Sequence, residues 1–256
     1  MGTAGGSIRL DQVDKRFTGG LLALEGVSLN VADGEFVALL GPSGCGKSTV
    51  LRLVAGLDAP SRGTVDAPAL RDPAAAATAF VFQEPTLMPW ASVFDNVWLP
   101  LRLAGASAGE AALRVRALLE RVGLGPFAAA FPAQLSGGMR MRASIARALV
   151  TEPRVLLMDE PFAALDEITR GRINLDLLAW WEARRLAVLF VTHSLYEAAF
   201  LSERVLVMSA RPGRVIAEVR IAEPYPRTPQ FRLSGLYQRA CAELLEALES
   251  ARAPSP

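Results

Sequence analysis

The chain has 256 residues, and 51% of them are hydrophobic, so it is long enough to bury one large core with an added subdomain. Its 27 Lys and Arg nearly balance its 26 Asp and Glu, and this near-neutral charge argues against nucleic acid as a partner. Only two cysteines occur, Cys45 and Cys241, which argues against a disulfide framework and favours a reducing compartment.

Neither a signal peptide nor a membrane helix is expected. The first residues, MGTAGGSIRLDQVDKRF, lack the apolar core of a signal peptide. The longest uncharged run, 122–139, contains Pro126, Pro132 and several glycines, and would make a poor membrane helix. We expect a soluble chain that meets a membrane, if at all, through another subunit.

In chain order, the first predicted elements are strands around a glycine-rich loop. Residues 7–17 and 25–32 alternate apolar and polar positions, as strands at a sheet edge do. Residues 35–40 form a short apolar run typical of a buried strand. The sequence GPSGCGKST at 41–49 follows and leads into helical spacing, and a further apolar run at 79–83 predicts another strand.

The rest of the chain alternates helical and strand patterns. Helical spacing fills 92–149 and 167–185, and apolar runs typical of buried strands lie at 154–160 and 187–193. This alternation predicts an α/β fold with a mostly parallel sheet, whose ligand lies at the carboxyl ends of the strands. The helical middle, at about 85–148, predicts an inserted subdomain.

The last third predicts a hairpin and a terminal helix. Residues 204–221 have the pattern of two strands that turn at Pro212 and Gly213, which predicts an antiparallel β edge. Residues 221–256 begin with a Pro-rich connector and continue as an amphipathic helix, with Ser234 as its N-cap.

The glycine-rich loop matches the phosphate-binding pattern G-x-x-x-x-G-K-[ST], with a predicted strand before it and a helix after it. Glycines let successive backbone N–H groups point at a phosphate, and the helix adds its positive dipole end. Lys47 offers a positive charge to the terminal phosphates, and Ser48 offers a hydroxyl to Mg²⁺. The residues predicted to bind the phosphates of a nucleoside triphosphate here are Gly41, Pro42, Ser43, Gly44, Cys45, Gly46, Lys47, Ser48 and Thr49.

Cys45 has two interpretations. It is either a small loop residue or a thiol whose pKa is lowered by the nearby helix N-terminus, which would make it sensitive to alkylation.

Polar residues follow three of the predicted buried strands. Asp159 is predicted to bind Mg²⁺, and Glu160 to polarise the attacking water. Gln83 is either a ligand of Mg²⁺ that orders this water or a plain surface glutamine. His193 is predicted to donate to a γ-phosphate, because it ends a strand beside the other polar strand ends. We therefore expect Lys47, Gln83, Glu160 and His193 to be catalytic, and Ser48, Gln83 and Asp159 to hold the metal.

Taken together, the motifs resemble those of the nucleotide-binding subunits of ABC transporters. They occur in that family's order: the phosphate loop, Gln83, LSGGM at 135–139, the acidic strand at 154–160, AALD at 163–166, and His193. The resemblance spans about 7–220 and implies an ATPase with a RecA-like P-loop NTPase core. ATP and Mg²⁺ are the cofactors it implies.

The resemblance also explains why one domain has two glycine sites. In this family two copies pack head to tail, and the second site of one copy closes over the nucleotide of the other. It implies that Ser136, Gly137, Gly138 and Asp166 bind ATP in trans. It also implies that Phe17 stacks on adenine, with an ordinary strand aromatic as the alternative. The chain departs from the family pattern at Met139, which cannot hydrogen-bond a ribose hydroxyl, and at Ala164, where serine is common.

Several stretches look most like an importer branch that takes up nitrate, alkanesulfonates, taurine or related precursors. This implies a transmembrane permease, an extracytoplasmic solute-binding protein and a peripheral position at the cytoplasmic face of the inner membrane. A non-transport ABC ATPase and an exporter subunit are the alternatives. Four apolar residues after Gln83 either receive a permease helix or pack the helical subdomain: Leu87, Met88, Trp90 and Phe94.

Overall fold

The computed structural model describes residues 7–72 and 77–252 of the chain. The beginning of the stretch inspected for a signal peptide and the last four residues of the predicted C-terminal segment lie outside the described residues.

Within the described residues, six strands form the central sheet, in the order β5-β6-β7-β3-β8-β9. Five of them run parallel, and the last pairs antiparallel with its neighbour, which confirms the predicted parallel sheet with an antiparallel edge. The strands are β3 (Phe36–Leu40), β5 (Thr78–Val81), β6 (Val155–Asp159), β7 (Ala187–Thr192), β8 (Arg204–Met208) and β9 (Val215–Arg220).

The centre of this sheet is buried on both faces. All five residues of β3 are buried, with Phe36, Ala38 and Leu40 in one hydrophobic cluster and Val37 and Leu39 in another. Strands covered on both faces have continuous apolar runs, which is why the sequence lacks alternation here. The parallel register brings the carboxyl ends of the central strands to one edge, where polar residues follow.

A second sheet packs beside the first, and the two share a hydrophobic cluster that includes Leu24 of the second sheet and Leu39 of the first. The second sheet contains three antiparallel strands in the order β2-β1-β4, namely β1 (Ile8–Arg16), β2 (Leu22–Val31) and β4 (Arg62–Asp66). The sequence predicted β1 and β2 as edge strands and did not predict β4. Alternation shows that one face of a strand is buried but not which sheet it joins, and β4 is largely exposed and has no apolar run.

Helices cover both faces of the central sheet and fill the connection between β5 and β6 with α3, α4 and α5. Five of the described helices begin at a serine or aspartate whose side chain accepts a hydrogen bond from the backbone three residues on. The short helices α2 and α7 were not predicted. The helices are α1 (Lys47–Val54), α2 (Pro68–Arg71), α3 (Val93–Leu103), α4 (Ala108–Arg121), α5 (Gly137–Leu149), α6 (Glu167–Arg184), α7 (Leu195–Leu201) and α8 (Gly235–Arg252).

The C-terminal helix α8 is part of the main core. Its residues Tyr237, Ala240 and Leu244 are buried, and it packs against α7, β8 and β9. The Ser234 hydroxyl accepts a 3.1 Å hydrogen bond from the backbone N–H of Tyr237, as expected of an N-cap. Within residues 7–72 and 77–252, no helix combines the length and the apolar character that crossing a bilayer requires.

Candidate functional site

The phosphate loop occupies the turn between β3 and α1, at the carboxyl edge of the sheet. Gly46 precedes the first turn of α1 with φ of 103°, a conformation that glycine adopts at little cost. A Cβ atom there would lie 2.6 Å from Cδ2 of Leu24, so a larger residue would have to displace the buried Leu24 side chain. The loop therefore brings its backbone to the N-terminus of α1, the geometry that favours anions.

Lys47 is buried and curves back over the loop. Its ammonium donates hydrogen bonds to the carbonyl oxygens of Gly41, at 2.8 Å, and Pro42, at 2.9 Å. The same nitrogen lies 3.7 Å from Oε1 of Glu160. The lysine predicted to contact terminal phosphates is thus at the mouth of the loop and faces the acidic strand end.

Ser48 and Asp159 meet, as their predicted sharing of a metal requires. The Ser48 hydroxyl donates a 3.0 Å hydrogen bond to Oδ1 of Asp159. Burial raises the pKa of Asp159, against the opposing effects of the Ser48 hydrogen bond and the Lys47 charge. A hydroxyl and a half-buried carboxylate form an oxygen-rich pair of the kind that Mg²⁺ binds together with phosphate oxygens.

Glu160 and His193 form a second polar pair beside the first. Nδ1 of His193 lies 3.0 Å from Oε2 of Glu160, and the imidazole is more than half exposed. The backbone of Glu160 has φ of 44°, a sparsely populated conformation for a residue other than glycine. Its N–H donates to the carbonyl of Val191, so hydrogen bonding to β7 holds this conformation in place.

Gln83 and Phe17 both lie at the surface. The strand β5 ends at Val81, two residues before its predicted end, so Gln83 is an exposed loop residue rather than a strand terminus. Val81 pairs with Met158, which places the following loop beside the acidic end of β6. Phe17 follows β1 with 39% of its surface exposed, and the Lys15 ammonium lies 5.2 Å from the centre of its ring.

The suggestion that the Cys45 thiol has a lowered pKa is wrong. The side chain is buried, and desolvation raises the pKa of the thiol more than the nearby Lys47 charge lowers it. Cys45 therefore fits its alternative interpretation as a small residue of the loop.

The second glycine site begins helix α5. The exposed Ser136 is the N-cap, and its hydroxyl accepts a 3.2 Å hydrogen bond from the N–H of Met139. A Cβ at Gly137 would have only one ordinary contact, at 3.7 Å, whereas a Cβ at Gly138 would lie 2.5 Å from Cγ2 of Thr169 on α6. The space around Gly137 is thus largely open, whereas Gly138 allows α5 and α6 to approach each other closely.

Asp166 begins α6 in a similar way. Its carboxylate accepts a 3.0 Å hydrogen bond from the N–H of Thr169, and this contact lowers the pKa of Asp166. Within the described part of the chain, no hydrogen bond or ion pair joins the second glycine site, residues 135–139, to the phosphate loop. The structure therefore separates the predicted site residues into two groups.

Two arginines that the sequence did not single out support these loops. Arg211, in the turn between β8 and β9, donates to the carbonyl of Gly44 at 2.9 and 3.2 Å. Arg147, on α5, donates to the carbonyls of Pro85 and Thr86 and so ties the helix of the second glycine site to the loop after Gln83. Arginines are frequent in this sequence, so only the fold distinguishes these two.

A groove of about 530 Å³ lies between α3 and α4, lined by residues that include Phe94, Arg116 and Glu120. It contains none of the predicted site residues, so its size does not make it the nucleotide site. Phe94 also packs against Trp98, with ring centres 6.4 Å apart, whereas Trp90 is 77% exposed. Of the four apolar residues after Gln83, Trp90 is thus the one most free for a partner.

Known proteins resemble the chain over most of its length. Residues 24–163 match the family described as "ABC transporter". The taurine import ATP-binding protein TauB of Rhizobium johnstonii is 51% identical over 197 residues, which are 76% of this chain and 75% of that protein. The aliphatic sulfonates import ATP-binding protein SsuB 1 of Pseudomonas savastanoi pv. phaseolicola is 43% identical over 240 residues, covering 94% of this chain and 95% of that protein.

A solved structure shares the fold. It is a dimeric post-hydrolysis state of the ATP-binding cassette MJ0796 bound to ADP and Pi. Its TM-score is 0.74 at 34% identity, over 85% of this chain and 100% of that one.

Proposed function

The chain belongs to the ABC transporter family, and from this premise we propose that it energises the uptake of a small sulfonated solute. Binding and hydrolysis of ATP are the activity of this family, so the chain is an ATPase. The observation that carries the ATPase activity is the meeting of Lys47, Ser48, Asp159, Glu160 and His193 at one sheet edge through direct polar contacts, and the taurine and sulfonate import relatives support the choice of solute.

ATP binds with its phosphates at the loop 41–49. The backbone N–H groups of the loop and the N-terminus of α1 surround the phosphates. The Lys47 ammonium gives up its hydrogen bonds to the loop carbonyls and binds the terminal phosphate oxygens instead. Ser48, Asp159 and Gln83 would hold Mg²⁺ beside the phosphates, and the ion would supply positive charge against the negative charge that develops there. Phe17 offers its ring to the adenine base.

Hydrolysis needs an oriented water, and Glu160 is the residue we assign to polarise it. The oxygen of this water attacks the γ-phosphorus and its proton passes to Glu160, while the bond from the γ-phosphorus to the bridging oxygen breaks and ADP leaves with that oxygen. The Nδ1–H of His193 donates to the Glu160 carboxylate, and Nε2 of the ring donates to the γ-phosphate when both ring nitrogens carry a proton. This arrangement gives each ring nitrogen of the histidine a separate role.

Two copies complete each site. We assign Ser136, Gly137, Gly138 and Asp166 to the nucleotide bound by a second copy, because they form a group separate from the phosphate loop. Phosphate charge between two subunits favours the closed dimer, and hydrolysis removes that preference. The dimeric ADP-bound relative supports this assignment.

The remaining partners follow from the importing relatives. We propose that transmembrane permease subunits bind the chain at the cytoplasmic face of the membrane and that an extracytoplasmic protein delivers the solute. An apolar groove of about 450 Å³ has a lining that includes Leu57, Leu70 and Phe82, the residue that precedes Gln83. This groove suits an amphipathic permease helix. Exposed apolar surface of this kind is typical of an interaction site.

The test is purification of a tagged chain from native membranes, with mass spectrometry of the proteins that accompany it. The proposal predicts a polytopic membrane protein in near-equal amount, and loss of taurine or alkanesulfonate uptake when the chain is absent. A soluble partner without any membrane protein would contradict the transport function while leaving the ATPase intact.

A further inference from the structure

One arginine near the start of α6 binds the backbone of the loop that leads to Asp166. The Arg170 guanidinium donates to the carbonyl of Leu165 at 2.7 Å and to that of Phe162 at 3.4 Å. It also binds the Glu167 carboxylate at 2.9 Å. The loop 163–166 is thus held from within the chain by a planar group that offers several donors in fixed directions.

The same guanidinium reaches the segment that carries His193. Nε of Arg170 lies 3.3 Å from Oε1 of Glu197, on α7. The other carboxylate oxygen of Glu197 accepts a 2.6 Å hydrogen bond from the Thr192 hydroxyl, which itself accepts the N–H of Ser194 at 3.0 Å. The residues on both sides of His193 therefore belong to the same network as the loop 163–166.

The end of this network that contains Thr192 and Glu197 is buried, whereas the Arg170 side chain is partly exposed. Thr192 is 2% exposed and Glu197 is 7% exposed, and burial raises the pKa of the Glu197 carboxyl. Buried ion pairs contribute little net stability, and apolar residues often replace them without loss. A gain in stability therefore does not by itself explain the ion pair between Arg170 and Glu197. Directional contacts of this kind do fix the relative position of two loops.

We propose that Arg170 and Glu197 join the loop 163–166 and the His193 segment into one moving unit. When His193 binds a γ-phosphate, the position of its segment therefore also determines the position of Asp166. In the proposed dimer, Asp166 faces the second copy. Arg170 is a positioning residue in this account, since it touches no substrate. The inference rests on the proposed closure of two copies around ATP.

The experiment uses the full chain with Glu160→Gln, which we expect to form a stable dimer with ATP. Arg170→Gln is added to this parent, and two quantities are measured: the affinity for a fluorescent ATP analogue in dilute monomer, and the ATP concentration that gives half-maximal dimer. We expect the affinity to stay within about two-fold and the concentration for dimer formation to rise about ten-fold or more.

Glu197→Gln provides a second variant, because it keeps the shape of the side chain and a partner for Thr192. It is expected to move dimer formation in the same direction, and the double variant is expected to be no worse than Arg170→Gln alone, since both changes break one link. Arg172→Gln, at an exposed position on the same helix, is the matched control and should change neither quantity.

The outcomes separate the two claims. If the Glu160→Gln parent itself does not dimerise with ATP, the proposed function fails. If the parent dimerises and both variants do so at the same ATP concentration, the inference is overturned. An equal loss of nucleotide affinity and dimer formation would also overturn it, because it would indicate a general disturbance of the fold.

Discussion

The Ser48 hydroxyl donates a 3.0 Å hydrogen bond to Asp159, although 111 positions of sequence separate the two residues. The contact exists because β3 and β6 lie on either side of β7 and end at the same edge of the sheet. It is the closest link between the phosphate loop and the acidic strand.

Asp159→Asn should stabilise the nucleotide-free protein near neutral pH while weakening its response to MgATP. Burial raises the pKa of this carboxyl, so the folded state carries a cost above that pKa, and the cost disappears as the pH falls below the unfolded value. The melting temperature of the variant should exceed that of the unmodified chain at about pH 7.5, with a smaller difference at about pH 4.

Thermal melts at both pH values, with and without MgATP, check this expectation. Ligand at about 100 times its Kd adds roughly 2.7 kcal/mol of stability, and the variant should lose most of that gain. A variant that melts lower than the parent at neutral pH, with an unchanged MgATP shift, would contradict the metal assignment.

Glu160→Gln should bind ATP and hydrolyse it about 100-fold more slowly or worse, because removal of a general base typically costs that much. The amide keeps the size of the side chain and its contact with His193. Steady-state phosphate release and equilibrium nucleotide binding measure the two effects separately. Turnover close to that of the unmodified chain would show that Glu160 does not polarise the water.

Lys47→Ala should weaken ATP binding by roughly ten-fold or more, since a charge-assisted contact to a phosphate contributes about 1.5–3 kcal/mol. Arg52→Ala is the matched control, because Arg52 lies exposed on the same helix. Its ion pair with Asp58 is long, with Nε and Oδ2 3.9 Å apart. Titration with ATP should separate the two variants. Equal affinities would rule out the phosphate role of Lys47.

The two signature glycines should respond differently to alanine. Gly137→Ala should leave the melting temperature nearly unchanged but prevent ATP-driven dimer formation, because the site for the added methyl is open on one side. Gly138→Ala should also lower the stability by about 1–3 kcal/mol, since its methyl would press on Thr169. If both variants dimerise with ATP like the parent, the second glycine site does not contact nucleotide.

The sequence predicts the parallel sheet and the residues at its edge well, because each buried strand is a continuous apolar run that ends in polar residues. It does not predict the separate sheet, since β4 is short and polar and pairs with β1 only through the tertiary fold. The supporting contacts of Arg147, Arg170 and Arg211 are also missed. Their partners are mainly backbone carbonyls, which every residue type has, so no residue pattern in the sequence indicates these contacts.

Cys45 shows a further limit. A thiol near a helix N-terminus suggests a lowered pKa, but the depth of burial decides the direction, and burial is a property of the folded chain.

The most direct test of the account asks whether the two glycine sites meet across two copies. A chain with Ser43→Cys and Ser136→Cys, both at exposed positions, is prepared with Cys45→Ser, Cys241→Ser and Glu160→Gln and treated with a short thiol crosslinker. The account predicts a covalent dimer that forms with MgATP and not without nucleotide. A monomer with an internal crosslink, or a dimer that forms equally without ATP, would contradict it.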